Sequence, residues 1–274
     1  VDTTGVLAGK TITSISAGEG DFFNGEHTCA IGDGRIYCWG GTLLVGLGQG
    51  TGDNSNLPVA VATAGIGSTT TPPATAVDAS VGYSCAIITS QAYCWGSNLI
   101  SYQLGSGTTG GWTYVPLPVD ASGVLKGKTV TDISSAGDGH SCVVASGKAY
   151  CWGTNGSGPL GNNSTVSAPS PVAVDTSGVL AGKTVTSVNV ANGFSCAIAD
   201  GLAYCWGDDS YNQLGDGGNT IIGAPNQSLV PVAVWAGPAT QSVPNPCGGF
   251  FQPNCKSPTR PLSPLYNKTI TSIS

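Results

Sequence analysis

The chain has 274 residues, of which 9% are charged, and its formal net charge is −6. Ordinary soluble proteins carry about 25% charged residues, so few like-charge repulsions keep copies apart, which weakly favours self-association. The acidic balance and the lack of a basic run exclude nucleic acid and an anionic membrane as predicted partners. No stretch reaches the roughly 18 apolar residues of a membrane helix, so no membrane insertion is expected.

The first predicted element is a strand at residues 10–16, in which polar and apolar residues alternate. Similar strands are predicted at 128–134 and 183–189, and a poor copy at 75–80. Each strand opens a repeat, and the first cysteines of successive repeats are 56, 57 and 54 residues apart. We place the repeats at about 10–62, 75–127, 128–182 and 183–234.

A hairpin motif, Cys-x8-Cys-Trp-Gly, follows each strand, at 29–40, 85–96, 142–153 and 196–207. The spacing fits no zinc motif. Pairing the two cysteines across a β-hairpin puts the turns at 33–34, 89–90, 146–147 and 200–201, two of which are Asp-Gly, a favoured hairpin dipeptide. The cysteines then form a non-hydrogen-bonded pair about 4.5 Å apart at Cα, which a disulfide accepts. The four predicted disulfides are Cys29–Cys38, Cys85–Cys94, Cys142–Cys151 and Cys196–Cys205.

Each repeat ends in a Pro-containing segment, at 58–61, 118–119, 171–174 and 231–234. Strands are short, turns are frequent, and no stretch has sustained helical periodicity. The predicted fold class is therefore all-β. Ten cysteines that can all be assigned to close pairs indicate an oxidising compartment, so the predicted location is extracellular or at the cell surface.

The segment 235–267 departs from the repeat and contains seven prolines. We interpret it as an insertion closed by a fifth disulfide, Cys247–Cys255. Aromatic residues are enriched at interface hot spots, and this insertion is the strongest candidate for an interaction surface; the alternative is that its aromatics cap the core. The candidate interaction residues are Trp235, Phe250, Phe251 and Tyr266.

Residues 268–274 repeat the sequence of 10–16 without a hairpin after them. We therefore expect either that the chain is a window on a longer array or that this surplus strand docks elsewhere, because an unpaired strand can pair with another chain. The candidate strand-exchange residues are Lys268, Thr269, Ile270, Thr271, Ser272, Ile273 and Ser274.

The motif at 195–215, Ser-Cys-Ala-Ile…Tyr-Cys-Trp-Gly followed by Asn-Gln-Leu-Gly, resembles the regulator of chromosome condensation repeat. The resemblance extends to 141–161, 84–105 and 28–48. It implies a β-propeller with one four-stranded blade per repeat, of which this chain supplies about four where the family usually has seven. The paired cysteines look like the secreted bacterial version of the repeat. We interpret Trp39, Trp95, Trp152 and Trp206 as blade-packing residues.

Little in the sequence suggests catalysis, and we predict no catalytic, metal or cofactor site. His27 and His140 precede the first cysteine of a hairpin, where the other repeats have Tyr83 and Phe194, so we predict a structural ring position there. A loop with Asp208, Asp209 and Asp216 offers oxygen ligands for Ca²⁺, but we favour solvated turn carboxylates.

These observations predict a secreted or cell-surface, non-enzymatic structural repeat protein that assembles with itself, as a filament or surface-layer subunit, through its open blade ends. The alternative is an extracellular binding module, an adhesin or a protein inhibitor, that recognises a protein or glycan through propeller-face loops. Fold alone does not choose between them.

Overall fold

The computed structural model describes residues 5–18, 26–41, 47–64, 66, 73–99, 102–218 and 226–235. The predicted fifth disulfide and the strand-exchange segment 268–274 lie outside these residues. So do three of the four candidate aromatics, Phe250, Phe251 and Tyr266; Trp235 lies inside.

The described residues form sixteen β-strands. They are β1 Ile12–Ala17, β2 His27–Gly32, β3 Arg35–Gly40, β4 Ser55–Ala60, β5 Ala74–Ala79, β6 Tyr83–Ile88, β7 Gln91–Ser97, β8 Trp112–Pro118, β9 Val130–Ser135, β10 His140–Ala145, β11 Lys148–Gly153, β12 Ala168–Ala173, β13 Val185–Ala191, β14 Phe194–Ala199, β15 Leu202–Asp208 and β16 Gln227–Ala233.

These strands make four sheets, each of four consecutive antiparallel strands. We call the sheets blade 1 (β1–β4), blade 2 (β5–β8), blade 3 (β9–β12) and blade 4 (β13–β16). The all-β class is the one that the sequence predicts, and one four-stranded sheet per repeat is what the family resemblance implies; both are confirmed.

The central hairpin of every blade has the predicted register, with its two cysteines directly opposite each other. Both turn residues have positive φ, as in Asp33 (48°) and Gly34 (77°), which a type I′ turn requires. The four predicted disulfides are present, with Cα–Cα separations of 4.0–4.1 Å. The hairpin and its cross-link are therefore set by local sequence alone.

The last strand of each blade lies at the edge of its sheet and contains proline. These edge prolines include Pro58, Pro116, Pro171 and Pro231. Proline has no N–H to donate, and it discourages pairing between the exposed edges of two sheets. Contacts between blades bury sheet faces, and the outer strands add only single hydrogen bonds to them, such as the one that Leu229 O accepts from the N–H of Asn163 at 2.9 Å.

The apolar core lies between blades, in three clusters that fill the contacts of blade 1 with 2, 2 with 3, and 3 with 4. The disulfides of the first three blades are part of these clusters, and their cysteines are fully buried. The first strands β1, β5, β9 and β13 contact one another in series. Each blade thus depends on its neighbour to cover an apolar face.

Three of the four tryptophans that we assigned to blade packing are fully buried: Trp95, Trp152 and Trp206. Each indole lies against a glycine in a loop of the preceding blade, namely Gly48, Gly105 and Gly161. These glycines have φ near +65° (+68°, +61° and +62°), and a Cβ on any of them would lie 2.6–2.7 Å from the indole. The blade-packing prediction is confirmed for these three, whereas Trp39 of blade 1 is half-exposed.

Two glycine variants separate the cost of positive φ from the cost of crowding the indole. Gly182 (φ +71°) has open space around it, whereas a Cβ on Gly161 (φ +62°) would lie 2.7 Å from Trp206. We expect Gly182→Ala to lower the free energy of unfolding by about 1–2 kcal/mol, and Gly161→Ala by a further ~1–3 kcal/mol from overpacking. Urea denaturation measures both, and equal losses would contradict the role of the indole contact.

Candidate functional site

The candidate site is the face of a blade. We call the face that packs on the preceding blade the leading face; it presents the apolar residues of the first strand and the motif tryptophan. We call the face that packs on the following blade the trailing face; it presents the disulfide and the hairpin turn. Three leading–trailing contacts are formed among the described blades, and four interactions in particular recur in each of them.

The first interaction joins a ring on the trailing face to a serine on the next blade. His27 Nε2 lies 2.6 Å from Ser84 Oγ, and Tyr83 hydroxyl lies 3.1 Å from Ser141 Oγ. His140 Nε2 lies 3.0 Å from Ser195 Oγ. The sequence identified the ring position as structural, but it did not identify the serine partner, which is 55–58 residues away in the chain.

Around His140 this interaction extends to a Ser-His-Asp arrangement. Asp138 Oδ1 lies 2.6 Å from His140 Nδ1, and the Ser195 hydroxyl donates to Pro159 O at 2.8 Å. His140 is 0% exposed and Ser195 is 1% exposed, so no substrate reaches the hydroxyl, whose proton is already donated. A nucleophile must meet a reacting atom; the arrangement instead joins blades 3 and 4.

Asp138 strengthens the same junction. Its Oδ2 accepts a hydrogen bond from the N–H of Gly193 in blade 4 at 2.8 Å. Burial alone would raise the pKa of Asp138, but the hydrogen bond and charge of His140 and the N–H donors hold it below the ordinary value. A charged carboxylate with these donors fixes the loop of blade 3 to the next blade.

The second interaction is made by the first strands. A side-chain oxygen accepts the N–H of the next blade's first strand in all three contacts: Ser16 from Ala79 at 3.0 Å, Asp78 from Ser135 at 2.6 Å, and Ser134 from Val190 at 3.2 Å. These acceptors occupy one equivalent position, opposite the first cysteine of each hairpin. In blade 4 this position is Asn189.

The third interaction uses the hairpin turn, whose carbonyl accepts the N–H of the first residue of the next blade's first strand. Gly34 O accepts from Ala74 at 2.9 Å, Ser90 O from Val130 at 3.0 Å, and Gly147 O from Val185 at 2.9 Å. The fourth interaction is the tryptophan packing described above, in which Trp152 Nε1 donates to Gln103 O at 2.9 Å and Trp206 Nε1 to Pro159 O at 2.7 Å.

His27 and Asp78 are two further groups in these contacts whose pKa values are shifted by burial. Burial lowers the pKa of His27 to about 4, and its Nδ1 is buried without a hydrogen-bond partner among the described residues. Burial raises the pKa of Asp78 to about 6, although the hydrogen bonds from Ser16 and Ser135 act in the opposite direction. The first blade contact therefore holds His27 neutral near pH 7.

The two pKa shifts predict opposite effects of pH on stability. Because the pKa of His27 is lowered on folding, neutral His27 contributes to the free energy of unfolding fully above pH 6.5, and this contribution is lost as pH falls through about 4. The loss amounts to about 3 kcal/mol. Stability from protonated Asp78 is present below pH 3.8 and is lost as pH rises through about 6. We expect the Asp78 effect to be smaller because the Asp78 residue is half-buried.

Urea denaturation between pH 4 and 6.5 tests this. Asp78→Asn should steepen the rise of the unfolding free energy with pH, and His27→Tyr, which copies Tyr83, should flatten or reverse it. Slopes equal to that of the wild type in both variants would show that neither group titrates as described.

The two ends of the series present faces that no described blade covers. On the leading face of blade 1, Ile12 is 42% exposed and Ile15 61% exposed. The residues equivalent to them in the other blades are 3–7% exposed: Ala74, Val77, Val130, Ile133, Val185 and Val188. On the trailing face of blade 4, Phe194 and Cys196 are half-exposed, whereas Tyr83, His140 and the first cysteines of the other hairpins are buried.

The acidic loop of blade 4 has the structure of a turn, but the prediction of solvated carboxylates is wrong for Asp209, which is 3% exposed. Asp209 Oδ1 accepts the N–H of Leu214 at 3.0 Å, which is the role of Asn98 and Asn155 in blades 2 and 3. Asp208 accepts from Ser210 and Gln213, and Asp216 from Gly218. Within the described ranges, no group of three or more His, Cys, Asp or Glu residues is placed to hold a metal ion.

Of the predicted interaction residues, Trp235 lies beside the loop of blade 4. Its side chain is 43% exposed, and its ring lies 3.0–3.4 Å from the position of a Cβ on Gly217. No helix in the described part of the chain has the length and apolar character needed to span a membrane.

Known proteins contain repeats similar to those of this chain. A family model, the regulator of chromosome condensation (RCC1) repeat, matches residues 146–198. The E3 ubiquitin-protein ligase HERC2 of Homo sapiens is 31% identical over 126 residues, which cover 42% of this chain and 3% of the ligase. The HERC2 protein of Mus musculus matches to the same extent.

Solved structures share the fold. Yeast RCC1 (Prp20), in its structure bound to Kap60, matches with a TM-score of 0.65 at 18% identity. The match covers 86% of this chain and 51% of the Prp20 chain. Human WBSCR16 has a TM-score of 0.64 at 19% identity, covering 83% of this chain and 54% of its own. The chain therefore spans about half the length of the solved structures that it matches.

Proposed function

Because the chain is an RCC1-type repeat β-propeller protein, we propose that it is a non-enzymatic structural protein outside the cell. It assembles with other copies of itself, as a filament or surface-layer subunit, through its open blade faces.

The observation that carries this proposal is the exposure of Ile12 and Ile15. Each of the three equivalent faces in the same chain is covered by the trailing face of another blade, which supports a similar partner for this one. Apolar surface gains roughly 25 cal/mol for each Å² removed from water. A face that has the residues of a blade contact but remains exposed is therefore well suited to binding another protein surface.

The edges of the sheets are poorly suited to assembly. Prolines interrupt the outer strand of every blade, so strand-to-strand association along these edges would lose hydrogen bonds. This favours association through blade faces. Four intramolecular disulfides support an oxidising, extracellular setting.

Two of the solved structures with this fold are described with protein partners, which supports a protein partner for this chain as well. The Prp20 structure was solved with Kap60 bound, and a second Prp20p structure is described with its binding to Gsp1p and histones. The buried Ser-His-Asp arrangement of this chain offers no accessible nucleophile. We therefore assign binding, and not catalysis, to the propeller.

A charge on the exposed leading face tests the proposal. We expect Ile15→Glu to abolish concentration-dependent association, because a carboxylate would have to be buried in the contact. The matched control is Val166→Glu, at a residue 73% exposed on blade 3. Sedimentation velocity measures association, and equal behaviour of the two variants would remove the leading face from the proposal.

The segment 268–274 offers a related route, in which one copy supplies a strand to the next. It lies outside the described residues, and its role in strand exchange stays a prediction. Its seven residues are identical to 10–16, and they therefore carry the two isoleucines that blade 1 presents at Ile12 and Ile15.

The second candidate function is an extracellular binding module for a protein or glycan. Trp235 favours it, because a half-exposed indole held against Gly217 is an amphipathic surface of the kind enriched at binding hot spots.

A tryptophan pair separates this function from self-assembly. Trp235→Ala should abolish binding on a glycan array, whereas Trp112→Ala, which removes a similarly exposed indole (49%) from blade 2, should retain it. Glycan binding that survives Trp235→Ala would count against this site, and self-association should be unaffected by either variant.

A further inference from the structure

The two faces that no described blade covers, the leading face of blade 1 and the trailing face of blade 4, complement each other. We infer that the trailing face of blade 4 binds the leading face of blade 1 of a second copy, head to tail, with the same register as the contacts between blades within the chain. This inference rests on the proposed self-assembly and names the two surfaces and the residues that meet.

The first strands define the register. In the internal contacts, Ser16, Asp78 and Ser134 each accept an N–H from the next blade. Asn189 occupies this position in blade 4, and its side-chain oxygen is the corresponding acceptor. The matching donor on a second copy is the N–H of Ala17, which is equivalent to the donors Ala79, Ser135 and Val190.

The hairpin turn supplies the next pair. Gly201 in the turn of blade 4 is equivalent to Gly34, Ser90 and Gly147, whose carbonyls accept from the next blade. The residue equivalent to the donors Ala74, Val130 and Val185 is Ile12. Its N–H on the second copy therefore meets Gly201 O, and Ile12 and Ile15 come to lie over the Cys196–Cys205 disulfide.

The loop of blade 4 that would receive a tryptophan also has the required backbone conformation. Gly215 has φ +63°, within a few degrees of Gly48, Gly105 and Gly161, which lie against an indole. Among the described residues, the nearest atom to a Cβ on Gly215 is Val234 Cγ1 at 3.4 Å. Half-exposed Trp39 of the second copy is the indole that fits this loop, with Nε1 directed to Gln213 O, the equivalent of Gln103 O and Pro159 O.

The ring position identifies blade 1 of another copy as the occupant. Within the chain, a His or Tyr ring meets a serine hydroxyl. At the open end the ring is Phe194, which has no hydrogen-bonding group, and the receiving position on blade 1 is Thr28, which adds a methyl group. The ring of Phe194 can therefore pack on the methyl group of Thr28, in place of the ring–hydroxyl hydrogen bond of the internal contacts.

A mixing experiment with two charged variants tests the inference. Ile15→Lys disables the leading face and leaves blade 4 intact, whereas Asn189→Lys disables the trailing face and leaves blade 1 intact. Each variant alone should remain monomeric at concentrations where the wild type assembles. Their equimolar mixture should form a 1:1 dimer of twice 27.2 kDa, and nothing larger, in native mass spectrometry.

The controls concern folding and surface charge. Val166→Lys, on a residue 73% exposed, should assemble like the wild type, and near-ultraviolet circular dichroism should show native packing in all variants. A gain of association provides a second test that does not depend on disruption. Phe194→Tyr combined with Thr28→Ser recreates the Tyr83–Ser141 pair, and it should tighten assembly by about 2- to 10-fold.

The possible outcomes separate failure of the head-to-tail contact from failure of self-assembly as a whole. If Ile15→Lys stays monomeric but Asn189→Lys still assembles, copies meet through two leading faces, and the head-to-tail inference is overturned while self-assembly stands. If both variants assemble, a surface other than these two faces is responsible, and the head-to-tail inference is overturned. If the wild type is monomeric at every concentration, the proposed function itself fails.

Discussion

The contact between one blade and the next is the interaction on which this structure depends. A four-stranded sheet with a polar edge cannot bury its own apolar face, and here each face is covered by the neighbouring blade. The disulfide makes each hairpin a rigid unit, but it does not join blades. What joins them is the repeated set of ring–serine, strand, turn and tryptophan contacts, so the stability of each blade is coupled to that of its neighbours.

This dependence explains why the polar groups with shifted pKa values lie between blades. His27 and Asp78 are buried because a neighbouring blade covers them, and burial moves their pKa values in opposite directions. The Asp138–His140–Ser195 arrangement has the same origin. It has the composition of a hydrolytic triad, yet its position between two sheets, with Ser195 bonded to Pro159 O, makes it a structural element.

The same dependence links fold to function. The series of described blades has two faces that no other described blade covers, and the face on blade 1 exposes Ile12 and Ile15 and leaves Trp39 partly exposed. The outer edges, by contrast, carry prolines that discourage pairing. The surface best suited to bind a partner is therefore the leading face, the same kind of surface that joins the blades within the chain.

Local features of the fold could be predicted from sequence. The Cys-x8-Cys spacing and the Asp33-Gly34 turn fix the hairpin register and its disulfide, because both depend on residues close together in the chain. The tryptophans followed from their place in the motif. Asp208 and Asp209 could be assigned to a turn because they sit among turn residues, but the burial of Asp209 could not be predicted, and solvation was the wrong expectation for it.

Contacts between repeats could not be predicted in the same way. Ser84, Ser141 and Ser195 are ordinary serines in sequence, and their role depends on rings 55–58 residues away. Asp138 and His140 are two residues apart, but their partner is in the next blade. The exposure of Ile15 could not be predicted either, because the residues around it in the sequence resemble those around buried Ile133. The two isoleucines differ because Ile133 is covered by blade 2, whereas no described blade precedes blade 1.

The most direct measurement is amide hydrogen exchange, resolved by residue, at concentrations below and above assembly. The N–H groups of Ile12 and Ala17 are equivalent to those of Ala74 and Ala79, which are bonded to the preceding blade. If copies meet head to tail, Ile12 and Ala17 exchange fast in dilute protein and become as protected as Ala74 and Ala79 in concentrated protein. Exchange at Ile12 and Ala17 that stays fast in the assembled protein would contradict this contact.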